Sequence, residues 1–211
     1  FAISKLSKFM QNPGVRHIKS LKHLLRYLHG TAEQGLHYDF SGAVPRNGIY
    51  GYYDASFADD ADTRRSTMAH VFFFEGCPIS WKSKLHSYIT TSTNHSEYCA
   101  SAKAAREAKM FKKLITEIGY AEFASPVALF SDSQGAIAMN YNPVKRDASK
   151  HIDLADHYAR EQVELGTISI THVSTKKMIA DILTKALPTA TFVYLRSFLV
   201  RPTRAHPVRP S

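Results

Sequence analysis

Residues 49–57 read IYGYYDASF, residues 66–74 read STMAHVFFF and residues 78–83 read PISWKS. Each segment is rich in aromatic or β-branched residues, and polar or glycine-containing turns separate the three. Strands joined by such short connections pair in antiparallel fashion. The stretch therefore predicts a three-stranded antiparallel meander.

The segments after the meander alternate between helical and strand patterns. A long helix is predicted at 94–118, capped by Ser92 or Thr93 and ended by Gly119. Strands are predicted at 127–131 and 167–173, and helices at 134–140, 152–164 and 176–186. A strand reached through a long helix is typical of parallel pairing. The predicted fold is α/β: a five-stranded mixed sheet, with three antiparallel strands followed by parallel strands, flanked by helices.

Both ends of the chain have a different character from this core. Residues 1–31 predict two helices separated by a break at 12–14, and residues 36–45 predict a strand-like connector. An amphipathic segment at 192–200 precedes a tail at 201–211, which is rich in proline and arginine and is expected to be mobile. The sequence begins at Phe1, which we interpret as a sign that it belongs to a longer polypeptide.

The composition excludes several classes of protein. Of the 211 residues 44% are hydrophobic, which argues against a disordered chain, and no apolar run approaches the roughly 18 residues of a membrane span. The two cysteines, Cys77 and Cys99, lack the spacing of a disulfide or zinc framework, so a reducing compartment is expected. The net charge of +9 indicates a polyanionic partner.

Four acidic residues occupy positions at which they could form one site. Asp54 lies in the first strand, Glu97 in the first turns of the long helix, Asp132 at the end of the fourth strand and Asp181 in a late helix. Glu97 lies 14 residues before Phe111, which turns it toward the buried face of the helix.

Clustered carboxylates repel one another, and a hard dication relieves the repulsion. Oxygen-only ligands favour Mg²⁺ or Mn²⁺ over zinc. Placement alone leaves open that these are solvated acids among the 18 of the chain, as Asp59, Asp60 and Asp62 are expected to be.

Several motifs resemble one family when they are taken together in their order. They are GYYDASFADD (51–60), RST (65–67), VFFF (71–74), PISWKSK (78–84), STNHSEY (92–98), SDSQGA (131–136), KHID (150–153) and IADILTKALP (179–188). This series resembles the ribonuclease H domain of Ty1/copia-type LTR-retrotransposon polyproteins. The segments FM (9–10), NP (12–13) and LRYLHGT (25–31) resemble the connection that joins reverse transcriptase to that domain.

The resemblance implies a nuclease that cuts the RNA strand of RNA–DNA hybrids with two Mg²⁺ or Mn²⁺ ions. Asp54, Glu97, Asp132 and Asp181 would be both the metal-binding and the catalytic residues. Residues 1–45 would be the connection segment, 46–190 the ribonuclease H domain and 191–211 a C-terminal helix and basic tail. The expected partners are the hybrid and the reverse transcriptase domain of the same polyprotein, with no membrane and no small-molecule cofactor. The expected location is the cytoplasm, in virus-like particles, or the nucleus.

Candidate substrate contacts are less specific, because each has an ordinary structural interpretation as well. Basic residues near the meander could follow phosphates or be solvated surface residues: Arg64, Arg65, Lys82 and Lys84. Ser133 and Gln134 could cap a helix or touch nucleic acid. His172 is a candidate for proton transfer or product release, Trp81 is expected in strand packing, and no role is assigned to His151.

Two other classes compete with an active nuclease. A catalytically inactive or domesticated copy would bind nucleic acid or protein, although it would have no physical reason to keep four repelling carboxylates. An integrase or transposase of the same fold would place its glutamate after the second aspartate, whereas Glu97 precedes Asp132.

Overall fold

The computed structural model describes residues 1–38, 48–120, 126–142 and 157–203. The helices are α1 (Ala2–Ser7), α2 (Val15–Gly30), α3 (Thr93–Glu117), α4 (Gln134–Tyr141), α5 (Tyr158–Glu164), α6 (Asp181–Thr184) and α7 (Thr189–Arg196). The strands are β1 (Gln34–Gly35), β2 (Ile49–Ser56), β3 (Thr67–Phe74), β4 (Cys77–Leu85), β5 (Val127–Ser131), β6 (Ile168–His172) and β7 (Arg201–Pro202).

Five strands form the central sheet in the order β4-β3-β2-β5-β6. The first three in the chain pair antiparallel as the predicted meander, and β5 and β6 extend the sheet by parallel pairing. The parallel pairing brings β5 beside β2, so the strand order reverses at the centre of the sheet. The predicted five-stranded mixed sheet is confirmed, and its topology is that of a ribonuclease H-like fold.

Helix α3 packs across one face of the sheet through small residues. Ala104, Ala105 and Ala108 are completely buried in the core that also contains Tyr53 and Phe72. Alanine adds little bulk between helix and sheet, so the aromatic residues of the strands can fill the space between them.

The ends of α3 agree closely with the prediction. The Ser92 hydroxyl caps the helix by accepting from the backbone N–H of His95 at 3.1 Å. Gly119, with φ +95°, turns the chain just beyond the helix. The buried face of α3 ends at Ile115, and Ile118, which lies after the last turn, is 57% exposed.

The opposite face of the sheet holds a smaller core. Val71, Phe73 and Ile179 are buried there, and Tyr50 and Tyr52 pack around them. Side chains alternate along a strand, so Asp54 shares this face with the two tyrosines. Helix α6 contacts both β2 and β3 on this side.

The continuous helix predicted at 176–186 is wrong. A 3₁₀ helix covers Thr175–Lys177, and α6 begins only at Asp181. Between them Met178 has an extended backbone (ψ 92°) and is completely buried. The helical periodicity is interrupted because the chain turns Met178 into the protein interior.

The expectation of a solvated acidic turn after β2 is wrong for two of its three aspartates. The Lys5 ammonium of α1 donates to Asp59 at 2.6 Å, and the Lys8 ammonium forms an ion pair with Asp60. Lys8 and Thr63 hold the pKa of Asp60 at about 2 by donating hydrogen bonds to it. These contacts attach the first helix to the turn between β2 and β3.

The chain ends also meet one another. β1 pairs antiparallel with β7, so Arg201 and Pro202 belong to a two-stranded ladder and not to the mobile tail that was predicted. The strand-like connector predicted at 36–45 is wrong at residues 36–38, which follow β1 without strand structure, and its remaining residues lie outside the described ranges. The helix predicted at 152–164 is seen from Tyr158. Residues 39–47, 121–125, 143–156 and 204–211, which include His151, lie outside the described residues.

None of the helices in the described ranges combines the length and the apolarity that crossing a membrane requires.

Candidate active site

The two central strands bring Asp54 and Asp132 together. The parallel register pairs Tyr52 with Phe130, so two residues further along both strands the aspartates lie side by side. Asp54 is buried within β2, whereas Asp132 follows the last residue of β5 and is half-buried. This is the crevice at the carboxyl ends of strands where α/β sheets collect ligands.

Glu97 reaches the same place from the first turn and a half of α3. Its Oε1 accepts a hydrogen bond from the backbone N–H of Ala55 at 3.2 Å, the residue after Asp54. Ligand oxygens of Asp54, Glu97 and Asp132 all lie within 4.8 Å of one another. The predicted orientation of Glu97 toward the sheet is confirmed, since the residue is only 3% exposed.

Asp181 lies next to this group but outside the set of three. Its Oδ1 is 2.8 Å from the Lys185 ammonium, which is also 3.7 Å from Oδ2 of Asp54. Both carboxylates are at least 96% buried at the side chain, whereas the lysine side chain is 37% exposed. Lys185 therefore balances part of the negative charge that the acids bring into the site.

The electrostatics of the site are those of crowded buried acids. Burial, and then the charge of Asp54, raise the pKa of Glu97 well above its usual range. Burial and the charge of Asp54 likewise raise the pKa of Asp181 to about 7, against the opposing effect of Lys185. Burial alone would lower the pKa of Lys185, but the three surrounding aspartates outweigh it and raise the pKa.

Hydroxyl groups orient two of the four acids. Thr184 donates to Oδ2 of Asp54, and Thr175 donates to Oδ2 of Asp132 at 2.8 Å. Sequence reasoning assigned no role to these threonines or to Lys185. A signal was present for Thr184 and Lys185, because positions three and four after Asp181 share its face of a helix.

Three of the other predicted site residues lie near Asp132, whereas the basic residues lie further away. The Ser133 hydroxyl caps α4 by accepting from the backbone N–H of Ala136 at 3.2 Å, and Gln134 is exposed in the first turn of that helix. His172 ends β6 and pairs in register with Ser131, the neighbour of Asp132. These three residues therefore lie near Asp132, by chain position or by strand register.

The predicted basic contacts lie elsewhere. Arg65, Lys82 and Lys84 line a cavity of about 470 Å³ between α3 and the β3–β4 edge, and none of the four acids lines it. Arg64 lies beside them in the turn with a left-handed backbone (φ +55°). Trp81, expected in strand packing, is instead 53% exposed on β4.

The fold and the site together define a ribonuclease H-like domain with an acidic cluster that could bind a metal. No family model matches the chain. The chain is 36% identical over 187 residues to the retrovirus-related Pol polyprotein from transposon TNT 1-94 of Nicotiana tabacum. This match covers 89% of the chain and 14% of that protein. The chain is also 34% identical over 192 residues to the Pol polyprotein from transposon RE1 of Arabidopsis thaliana, covering 91% of this chain and 13% of that protein.

The chain belongs to the family of retrovirus-related Pol polyproteins of retrotransposons. It spans about one seventh of the length of these relatives. Among solved structures it is similar to LC11-RNase H1, isolated from compost, with a TM-score of 0.46, 18% identity and coverage of 65% of this chain and 93% of that one.

Proposed function

We propose that this chain is a ribonuclease H, an endonuclease that hydrolyses the RNA strand of RNA–DNA hybrids during reverse transcription of a retrotransposon. The observation that carries the proposal is the convergence of Asp54, Glu97 and Asp132 within 4.8 Å at the centre of a ribonuclease H-like sheet. In the proposed organisation, residues 46–190 are the nuclease, 1–45 the connection to reverse transcriptase and 191–211 an appendage.

The donor set fits divalent cations with oxygen ligands. Glu97 uses Oε1 for the Ala55 N–H, and its buried Oε2 has no hydrogen-bond donor among the described residues. A buried carboxylate oxygen without a donor costs free energy, which a hard cation would offset. Asp54, Glu97, Asp132 and Asp181 would hold Mg²⁺ or Mn²⁺ here, in the proposed mechanism as a pair of ions. Such a pair supplies an activated water and stabilises the leaving oxygen of a phosphodiester.

Neighbouring residues of the chain orient the carboxylates of the site. The Ala55 N–H, the Thr184 hydroxyl and the Thr175 hydroxyl each fix one oxygen of a site carboxylate. Groups that are held before the reaction do not have to reorganise during it, which is where much of an enzyme's rate advantage arises. We propose that Ser133, Gln134 and His172 contact the substrate beside Asp132, and that His172, the register partner of Ser131, assists proton transfer.

The proposed hybrid substrate, which the family resemblance supplies, would be recognised in the way that double-stranded helices containing RNA are recognised. Proteins distinguish them by groove shape and 2′-hydroxyl groups, and not by base edges. A scaffold of fixed strands with an acidic centre and basic flanks suits such shape recognition. The proposed partner within the polyprotein is the reverse transcriptase domain, and the proposed location is that of reverse transcription, in cytoplasmic particles or the nucleus.

A cleavage assay on matched RNA–DNA, RNA–RNA and DNA–DNA duplexes tests the proposal. We expect cleavage of the RNA strand of the hybrid alone, in Mg²⁺ or Mn²⁺ and not in EDTA. Asp54→Asn and Glu97→Gln should each abolish cleavage, whereas Asp62→Asn, in the exposed turn, should leave it unchanged. Undiminished cleavage in either of the first two variants would refute the proposal. Hybrid binding without cleavage, and without thermal stabilisation by Mn²⁺, would instead support the inactive binding module.

A further inference from the structure

A second concave surface lies between α3 and the edge of the sheet formed by β3 and β4, and basic residues line it. We define this basic groove by Arg65, His70, Lys82, Lys84, Lys103 and Arg106, which line the cavity of about 470 Å³. Lys82 pairs in register with His70, and Lys84 with Met68, so both lysines project from β4 beside β3. Lys103 closes the groove from one flank of α3, and Arg106 also lines it, although its guanidinium lies 5.1 Å from the centre of the Tyr158 ring.

The positive charge of the groove is left largely uncompensated. Glu107 is the one acidic side chain among the described residues that line the cavity, and its Oε1 accepts from the Ser80 hydroxyl at 2.8 Å. For Lys82, Lys84 and Lys103 the described part of the chain contains no salt bridge. Like charges gathered in a concave, partly apolar surface focus a field that attracts anions.

His70 supplies an independent sign that something polar binds in the groove. It lies in the middle of β3, is 5% exposed, and its Nε2 has no hydrogen-bond partner within the described residues. A buried polar nitrogen without a partner is costly, and native proteins seldom retain one without cause. An acceptor or a bridging water brought into the groove would provide the missing partner.

The groove and the acidic site are connected through shared elements. Ala69 lines the groove and is the register partner of Asp54, whereas His70 pairs with Tyr53 on the α3 face of the sheet. The groove and the Asp54 side chain therefore lie on opposite faces of the same stretch of β2 and β3. Along α3, Glu97 and Lys103 are six residues apart, which is about 9 Å of helix. For a duplex lying along α3, that length corresponds to between about two and three phosphates of one strand at 3.4 Å of axial rise each.

We propose that the basic groove holds the phosphate backbone of the RNA–DNA hybrid several nucleotides away from the bond at the acidic site. This inference rests on the proposed function, which supplies the hybrid as ligand. The groove binds by charge and shape, so it contributes affinity and register without contacting the reacting phosphate. Its residues are therefore positioning residues.

The test measures binding of a fluorescein-labelled RNA–DNA hybrid by anisotropy, in EDTA, over a series of salt concentrations. The double variant Lys82→Gln with Lys103→Gln removes two charges from the groove. The control, Lys19→Gln with Lys22→Gln, removes two charges from α2, which does not line the groove. Each lost phosphate contact should reduce the slope of log Kd against log salt by about 0.9, so by about 2 in the groove variant. If the groove variant and the wild type bind equally at 1 M salt, this change of slope corresponds to a loss of affinity of up to about 60-fold at 0.1 M salt.

The second pair, Arg65→Gln with Lys84→Gln, should behave like the first. Thermal melts followed by circular dichroism identify a variant that has lost its fold. If one groove pair unfolds the protein, the salt dependence of the other groove pair tests the proposal. If the control lowers the slope as much as the groove variants do, net charge accounts for the binding and the proposal is wrong. If neither groove pair changes the slope, it is also wrong.

Cleavage kinetics separate this inference from the proposed function. In Mg²⁺ the groove variants should raise KM for the hybrid and leave kcat unchanged, because the acids are untouched. A wild-type chain that binds the hybrid with a groove-dependent slope but does not cleave it would refute the nuclease and support the groove. A wild-type chain that cleaves normally, with unchanged KM and slope in both groove variants, would refute the groove alone.

Discussion

The ammonium group of Lys185 lies 2.8 Å from Oδ1 of Asp181 and 3.7 Å from Oδ2 of Asp54. A lysine thus takes part of the space between two buried carboxylates at the place where cations are proposed to bind. Because the surrounding acids raise the pKa of Lys185, it stays charged throughout the neutral range. The side chain therefore acts as a built-in countercharge in the absence of metal.

Replacing this countercharge should change stability in opposite ways without and with metal. In EDTA, Lys185→Met should lower the free energy of unfolding by about 1–3 kcal/mol, less than for a fully buried pair because the lysine is 37% exposed. In Mn²⁺ the variant should gain more stability than the wild type, since the cation meets no competing ammonium. Thermal melts with both additives measure this, with Lys176→Met, an exposed lysine of the 3₁₀ helix, as control. Equal Mn²⁺ stabilisation of Lys185→Met and wild type would contradict the expectation.

In the metal-free chain, Asp181 should lower the free energy of unfolding as the pH rises from about 4 to about 7. Asp181 has an ordinary pKa of 3.8 when unfolded and about 7 when folded, because burial and then Asp54 disfavour its charged form. Over that interval the folded state keeps a proton that the unfolded state releases, so the free energy of unfolding falls with pH. Glu97, whose pKa is also raised, acts in the same direction.

Asp181→Asn removes one of these protonation steps, so the free energy of unfolding should depend less on pH in this variant. The measurement is the midpoint of urea unfolding in EDTA at pH 5 and pH 7.5, compared between wild type and variant. The difference between the two proteins isolates Asp181 from the histidines, which titrate in both. A steeper fall of stability in the variant than in the wild type would show that the sign is wrong.

The sequence predicts the frame of the site better than its details. The strands, α3 and the inward direction of Glu97 follow from periodicity and from the Ser92 cap, which are local properties. The neighbourhood of Asp54 and Asp132 follows from chain order, since a strand reached by a crossover helix pairs parallel in the sheet.

What the sequence does not predict depends on contacts between distant segments. Thr175 meets Asp132 across 43 positions, and Thr184 meets Asp54 across 130. The basic groove likewise forms only because α3 brings Lys103 beside Lys82 of β4. Local spacing could place Thr184 beside Asp181, but no local pattern marks its contact with Asp54 or the contact of Thr175 with Asp132. The break at Met178 that shortens α6 comes from burial in the finished fold.

The hydroxyl of Thr184 should matter for the rate and not only for the fold. It donates to Oδ2 of Asp54 inside the protein, where both residues are buried. Thr184→Val keeps the shape and removes the donor, so kcat should fall by about 10–100-fold through loss of the orientation of Asp54. Thr184→Ser keeps the donor and should restore most of the rate. Cleavage assays at saturating hybrid measure both, and equal kcat in the two variants would show that the hydroxyl has no positioning role.

Gly51 in β2 should be intolerant of a side chain because of one ring in the core. A Cβ built at Gly51 would lie 2.8 Å from Cε1 of Phe72, its register partner in β3, and Phe72 is completely buried. Gly51→Ala should therefore lower the free energy of unfolding by about 1–3 kcal/mol, as overpacking does in cores that cannot relax. Gly30, at the end of α2, has open space at the same position, so Gly30→Ala is the matched control.

A double-mutant cycle tests whether Phe72 is the cause of this intolerance. Phe72→Leu is destabilising by itself, because it removes part of a buried ring, but it also vacates the space that the new Cβ would need. In that background Gly51→Ala should cost much less than in the wild type, giving a coupling energy well above the about 0.5 kcal/mol expected of independent sites. Urea unfolding of the four proteins measures the coupling. Additive costs would mean that the close packing of the Phe72 ring is not the cause of the intolerance.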